Sequence, residues 1–249
     1  MLPRSKRFSI VLLVIVIMTV TAAWKNREGQ SSSLAVTFHH KVGGKDLVLF
    51  DETYTNAFNE PFSINKFRYY ISNVEFVDKD GKKKILKDFY HLVDEADSAS
   101  KRIIFNTSGL QQVVSIEFLL GVDSIKNTSG VQTGDLDPMK GMFWTWNSGY
   151  VYAKLEGQSD SSHAPLKYFN FDVGGYKPKE NAVRKIKLNI NIQSLPTRGI
   201  VIDVDVSKWF NAVHPIHINQ TPICHQPGDL AMQLADNYAT MFSIGEVKQ

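Results

Sequence analysis

Imidazole nitrogens and a thiolate sulfur can hold a transition metal. The chain gathers four such groups near its C-terminus, His214, His217, Cys224 and His225, within HPIHINQTPICHQPG. Their order does not follow a standard zinc spacing. The segment therefore reads as a soft-metal cluster for Cu(I) or zinc, or as surface and structural histidines. The remaining histidines are dispersed. His39 and His40 are adjacent in a strand-like segment, so they face opposite sides and at most one can point into a shared site. His91 stands at a strand end in DFYHLVDEAD, and His163 follows two serines in a loop and reads as solvated.

The stretch GMFWTWNSGY, residues 141–150, holds two of the four tryptophans. As a β-strand it would place Phe143 and Thr145 on one face and Trp144 and Trp146 on the other, making the two indoles same-face neighbours. Such a pair suits a packing plug, a sugar-stacking platform or an oxidisable pair. Composition alone does not choose among them.

Enzyme signatures are absent from the sequence: there is no G-x-S-x-G elbow, P-loop, H-E-x-x-H or Rossmann fingerprint. We therefore expect a protein that is not an enzyme. Asp123, Asp135 and Asp137 are spaced like calcium-binding loop ligands or like turn formers, and the twelve-residue pattern specific for calcium is missing. They lie in the longest irregular stretch, residues 123–141, which runs straight into the tryptophan motif. Loops of that length usually carry function.

The elements that must position these groups are mostly strands. Ile186, Leu188, Ile190 and Ile192 alternate with Lys187, Asn189 and Asn191, and Ile200, Ile202, Val204 and Val206 repeat the pattern. Segments of similar character include LAVTFHH, DLVLF, KFRYYISNVEFVD, KKILKDFYHLVD, RIIFN, VVSIEFLLGV, GYVYAKLEG and KYFNFDV, separated by turn material. One-sided short strands indicate an all-β protein, an antiparallel β-sandwich or barrel-like domain. The period changes in PGDLAMQLADNYATMF, where Leu230, Leu234 and Tyr238 are spaced by four and Asp229 can act as N-cap. A C-terminal helix is expected there.

The N-terminus has a different character. Arg4, Lys6 and Arg7 precede a long apolar run ending in small residues, the pattern of a secretory signal over residues 1–23, or of an anchor if uncleaved. Residues 24–33 read as a flexible tether and residues 34–249 as one β domain. The three leader charges account for the whole formal net charge of +3. A mature chain near neutrality, with only Lys82, Lys83 and Lys84 in a row, is not expected to bind nucleic acid. Export, to the periplasm or beyond, would permit disulfides, but a single cysteine excludes an intramolecular one.

Taken in order, FRYYISNVEFVDKDGKK, YHLVDEAD, the block from GVDS through LDP to GMFWTWNSGY, VGGYK and ADNYATMFS resemble the MbnP-like family of exported bacterial copper-binding proteins, in a form similar to Bacteroidetes versions. The resemblance implies a periplasmic or secreted β-rich protein that takes part in copper acquisition or handling. It also implies a tryptophan, here Trp144 or Trp146, oxidised to kynurenine by a di-haem partner of the cytochrome c peroxidase and MauG type. Carried onto this chain, it makes His40 and His91 metal ligands. It places Asp172 where relatives commonly carry a histidine. A competing reading is a cell-envelope recognition module that binds carbohydrate or peptide on Trp144, Trp146 and Tyr150, with or without calcium. A third is a purely structural sandwich with the motif in its core.

Overall fold

The computed structural model describes residues 33–145, 149–190 and 199–245. The leader and the tether up to Ser32 lie outside the described residues, as do Trp146 and Ile192.

Two sheets face each other. The smaller joins β1 (Ser33–Val42), β2 (Lys45–Asp46), β6 (Arg102–Asn106), β12 (Gly199–Asp205) and β14 (Phe242–Ile244), with β1 between β12 and β6. The larger holds β3 (Tyr54–Thr55), β4 (Pro61–Asp78), β5 (Lys83–Asp94), β7 (Val113–Leu120), β8 (Phe143–Trp144), β9 (Gly149–Gln158), β10 (Tyr168–Gly174), β11 (Arg184–Asn189) and β13 (Ile223–Cys224). The expected β-sandwich is present. Most ladders are antiparallel, but β1 runs parallel to β12 and β10 parallel to β13.

Alternation explains both the strands and the core. In β1, Val36, Phe38, His40 and Val42 are buried, so one face of the strand enters the interior. Phe38 meets Tyr69 and Phe118 edge-on at ring distances of 6.0 and 6.3 Å, and Phe118 meets Phe242 at 5.3 Å. These contacts tie the two sheets together, each buried ring contributing about 1.5–3 kcal/mol through area removed from water. Ile186, Leu188 and Ile190 turn inward while Lys187 and Asn189 stay exposed, as their pattern requires.

Helix α2 (Asp229–Tyr238) buries Ala231, Leu234, Ala235 and Tyr238, with Tyr238 against Trp209 at 5.2 Å. Its N-cap is Gly228 rather than Asp229, which lies in the first turn. DLVLF does not pair as a strand beyond Asp46. Residues 49–51 form a turn in which Phe50 takes φ 69° and is left exposed.

Residues 121–141 cross the outer face of the larger sheet, where alternation puts Tyr70, Tyr150 and Tyr152 opposite the core. Gly121 starts the crossing at φ 118°, and a Cβ there would lie 2.8 Å from the Tyr152 ring. Helix α1 (Ser124–Thr128), capped by Asp123, follows. Asn127 ties it to β9, donating to Tyr152 Oη at 3.0 Å and accepting from the Tyr150 N–H at 2.9 Å. Tyr70 donates to the Asp135 carbonyl at 2.8 Å and Tyr150 to the Leu136 carbonyl at 2.7 Å. The irregular stretch is therefore an ordered cover that carries Asp135 to the edge of β5.

Candidate metal site

The period of β1 carries His40 into the interior, where its side chain has no exposed surface. Nδ1 lies 2.5 Å from Glu95 Oε2, and Nε2 lies 3.0 Å from Tyr69 Oη. A carboxylate only accepts, so Nδ1 carries the proton and Nε2 accepts from the phenol. Phe67 packs edge-on at 4.9 Å. Burial lowers the His40 pKa by more than the Glu95 bond raises it, so the imidazole is neutral at pH 7. Burial pushes Glu95 the other way, but His40 and Lys101 more than offset it and keep the carboxylate ionised. His39, on the opposite face as alternation requires, contacts Asp46 and Asp203.

His91 lies on β5 in register with Ile71, two residues along β4 from Tyr69. Since Ile71 and Tyr69 share a face of β4, His91 stands on the same sheet face that His40 meets. Its Nδ1 is 3.0 Å from Asp135 Oδ2, and its Nε2 donates to the Ser100 carbonyl at 2.7 Å. Burial works to lower its pKa, but Asp135 and Ser100 prevail and raise it. One turn, residues 94–101, serves both histidines: Glu95 holds His40 and Ser100 holds His91. A cleft of about 480 Å³ opens beside His91, lined also by Arg68, Asp94, Asp97, Asp135, Met139 and Lys140.

Asp172 does not join them. It pairs with Lys154 on β9, which pairs with Arg68 on β4, and this row alternates with the inward Phe171, Leu155 and Phe67. Asp172 therefore projects from the outer face, with the sheet between it and His40. There its carboxylate meets Lys154 Nζ at 2.8 Å. Burial raises its pKa against the pull of that ammonium. The three expected ligands are thus two on one face and one on the other.

The C-terminal four are also separated. His214 Nε2 lies 3.1 Å from Asp236, and the His217 ring packs on Phe58 at 3.8 Å. Cys224 is buried on β13 with its thiol pKa pushed up to about 12 by burial, while His225 is exposed. Among the described residues, no three His, Cys, Asp or Glu side chains converge as a metal would require. The loop carboxylates are likewise employed singly. Asp123 caps α1 and accepts from Tyr90, Asp137 accepts the Met139 N–H at 2.9 Å, and Asp135 holds His91 and Lys140. That distribution does not favour the calcium expectation.

The tryptophan motif is shorter as a strand than its sequence suggests. β8 ends at Trp144 and Thr145 turns away, exposed. Trp144 is buried, its ring close enough to Gly174 that a Cβ there would lie 3.0 Å from Cζ3. Tyr150 is fully buried beneath the cover and meets Phe143 at 5.1 Å. Neither Trp144 nor Tyr150 can serve as a stacking platform, which removes two of the three residues of the recognition reading. Tyr69 and Glu95 carry no local signal for their roles, since Glu95 is 55 residues from His40. The inward face of β1 and the aromatic partners on β4 are the only hints the sequence offers.

The MbnP family model matches residues 31–226. The structure of MbnP from Methylosinus trichosporium aligns with a TM-score of 0.56 at 14% identity, over 86% of this chain and 98% of that one. At that identity the likeness is one of fold. No curated protein matches the chain.

Proposed function

The chain belongs to the MbnP family, and from that premise we propose that it is an exported, non-enzymatic copper-binding protein that handles copper in the periplasm or outside the cell. The observation that carries the proposal is His40: an enclosed, neutral imidazole whose Nδ1 proton is fixed by a carboxylate. A metal-ligating histidine is characteristically held this way, because the carboxylate sets the tautomer and raises the basicity of the other nitrogen. The other nitrogen, Nε2, meets only a phenol, which a metal ion can displace.

His40 and His91 fit copper by donor type and by lying on one face, and Asp172 does not. His40 would supply Nε2, with Glu95 and Lys101 orienting it. His91, which donates from both nitrogens, would release one proton and exchange its bond to Asp135 or Ser100 for the metal. Copper, when bound, supplies a one-electron couple between Cu(I) and Cu(II). Phe67 and Tyr69 keep water from His40.

For the oxidised tryptophan we assign Trp144, with Trp146 as the alternative, and a di-haem peroxidase of the MauG type as the oxidant. Only 6% of Trp144 is exposed, so the partner would draw electrons from the indole at a distance rather than touch it. The leader reading supports export. Among the described residues no helix is long and apolar enough to cross a membrane.

The test is copper stoichiometry by native mass spectrometry on the mature protein and on His40→Ala. Loss of stoichiometric copper in the variant, with an unchanged circular dichroism spectrum, is the expected result. Equal tight binding by both proteins would refute the assignment of His40.

A further inference from the structure

Met139 is 91% exposed, more than any other large apolar side chain among the described residues. The turn beneath it is fixed at several points. Pro138 opens it, the Asp137 carboxylate accepts the Met139 N–H at 2.9 Å, and Arg68 Nη1 donates to the Lys140 carbonyl at 3.0 Å. Lys140 Nζ then reaches Asp135 Oδ1 at 2.9 Å. The backbone on both sides of Met139 is therefore pinned while its thioether is left in solvent, lining the cleft that holds His91. Asp135 couples the two, with one oxygen toward Lys140 and the other toward His91.

A thioether is a poor partner for water and a good one for a soft cation. Of the other described sulfur-bearing residues, Met142, Met241 and Cys224 are buried and Met232 is half-buried. Met139 is thus the exposed sulfur among the described residues, and it stands in a cleft with an imidazole. Beyond that imidazole, the 94–101 turn leads to His40.

We propose that Met139 and His91 form an entry site for Cu(I), and for its analogue Ag(I), where the metal is taken from solvent before it reaches the enclosed His40. The site deepens the copper reading above and rests on it. Metal capture there needs no change of oxidation state. One His91 nitrogen releases its N–H proton to solvent and gives up its bond to Asp135 or Ser100, and that nitrogen and the thioether sulfur replace the ligands of the incoming ion.

The experiment uses the mature protein with methyl-labelled methionine, titrated with Cu(I) under reductant and separately with Ag(I). The Met139 methyl resonance, assigned by its absence in Met139→Leu, should shift when either ion is added to His40→Ala, in which the metal cannot pass on and stays at the entry site. Met139→Leu, a substitution at an exposed position, should bind as much copper at equilibrium as the wild type. It should load from a Cu(I)-buffering chelator more slowly by about tenfold or more, the scale of loss when a metal site's supporting group is removed. A methyl that stays in place, or a variant that loads at the wild-type rate, overturns the entry site even if His40-dependent binding persists. A wild type that takes up no copper at all overturns the copper reading as well, and the stoichiometry tells the two failures apart.

Discussion

Replacing Asp135 by Asn would test whether the cover between β7 and β9 is clamped to His91. Asp135 accepts from His91 Nδ1 at 3.0 Å, Lys140 Nζ at 2.9 Å and the Leu92 N–H at 3.2 Å. Asparagine keeps an oxygen for Leu92 but loses the charge. A charge-assisted bond contributes about 1.5–3 kcal/mol against about 0.5–1.5 for a neutral one, so weakening the half-buried His91 pair costs about 1–1.5 kcal/mol. Lys140 is 43% exposed, and its pairing adds no more than about 0.5 kcal/mol once screened by solvent. The expected loss is about 1–2 kcal/mol, or a fall in Tm of roughly 2–8 °C for a domain of this size.

The pH dependence follows from the two shifts. The His91 bond, with that of Lys140, holds the Asp135 carboxyl well below the usual carboxylate range, so its contribution is present above the unfolded pKa of about 3.9 and disappears as pH falls through the folded value. His91 is raised, so its share is full below an unfolded pKa of about 6.5 and is lost as pH rises through the folded value. The difference between wild type and Asp135→Asn should therefore peak between about pH 4 and 6.5 and shrink on both sides. Urea unfolding followed by tryptophan fluorescence at acidic, intermediate and alkaline pH measures it. A difference under about 0.5 kcal/mol at the peak, or one independent of pH, would refute the clamp.

Two further outcomes concern packing. In Gly174→Ala the new Cβ would lie 2.3 Å from the Tyr150 carbonyl oxygen and 3.0 Å from the Trp144 ring, so we expect about 1–3 kcal/mol of destabilisation and a change in tryptophan emission; a variant as stable as wild type by urea unfolding would mean that β8 does not press on β10. Cys224, with its thiol pKa pushed up to about 12 by burial, should resist a thiol-specific disulfide reagent at neutral pH in the native state and react once unfolded. Rapid labelling of the native protein would contradict its burial.

The strands were legible where one face is wet. Ile186 to Ile190 and Ile200 to Val206 alternate because water and core lie on opposite sides of a pleat. DLVLF was misleading because the chain turns at residues 49–51, burying Leu47 and leaving Val48 and Phe50 exposed, and FWTW because the strand ends at Trp144 and Thr145 already lies in a turn. In β10, the alternation of Phe169, Phe171 and Val173 already turns Asp172 away from the core, so its placement beside His40 could have been rejected from the sequence. The inward direction of His40 was readable from β1. Its environment was not, because Glu95 and Tyr69 arrive from other strands and only the folded register brings them together.

The most direct test of the copper account is native mass spectrometry with peptide mapping on protein exported by its own host under copper-replete conditions. It reads the bound metal and the mass of the peptide spanning residues 141–154, which contains both Trp144 and Trp146. The account predicts bound copper and the mass shift of kynurenine on one of those two tryptophans. Intact, metal-free protein with both tryptophans unmodified would contradict it.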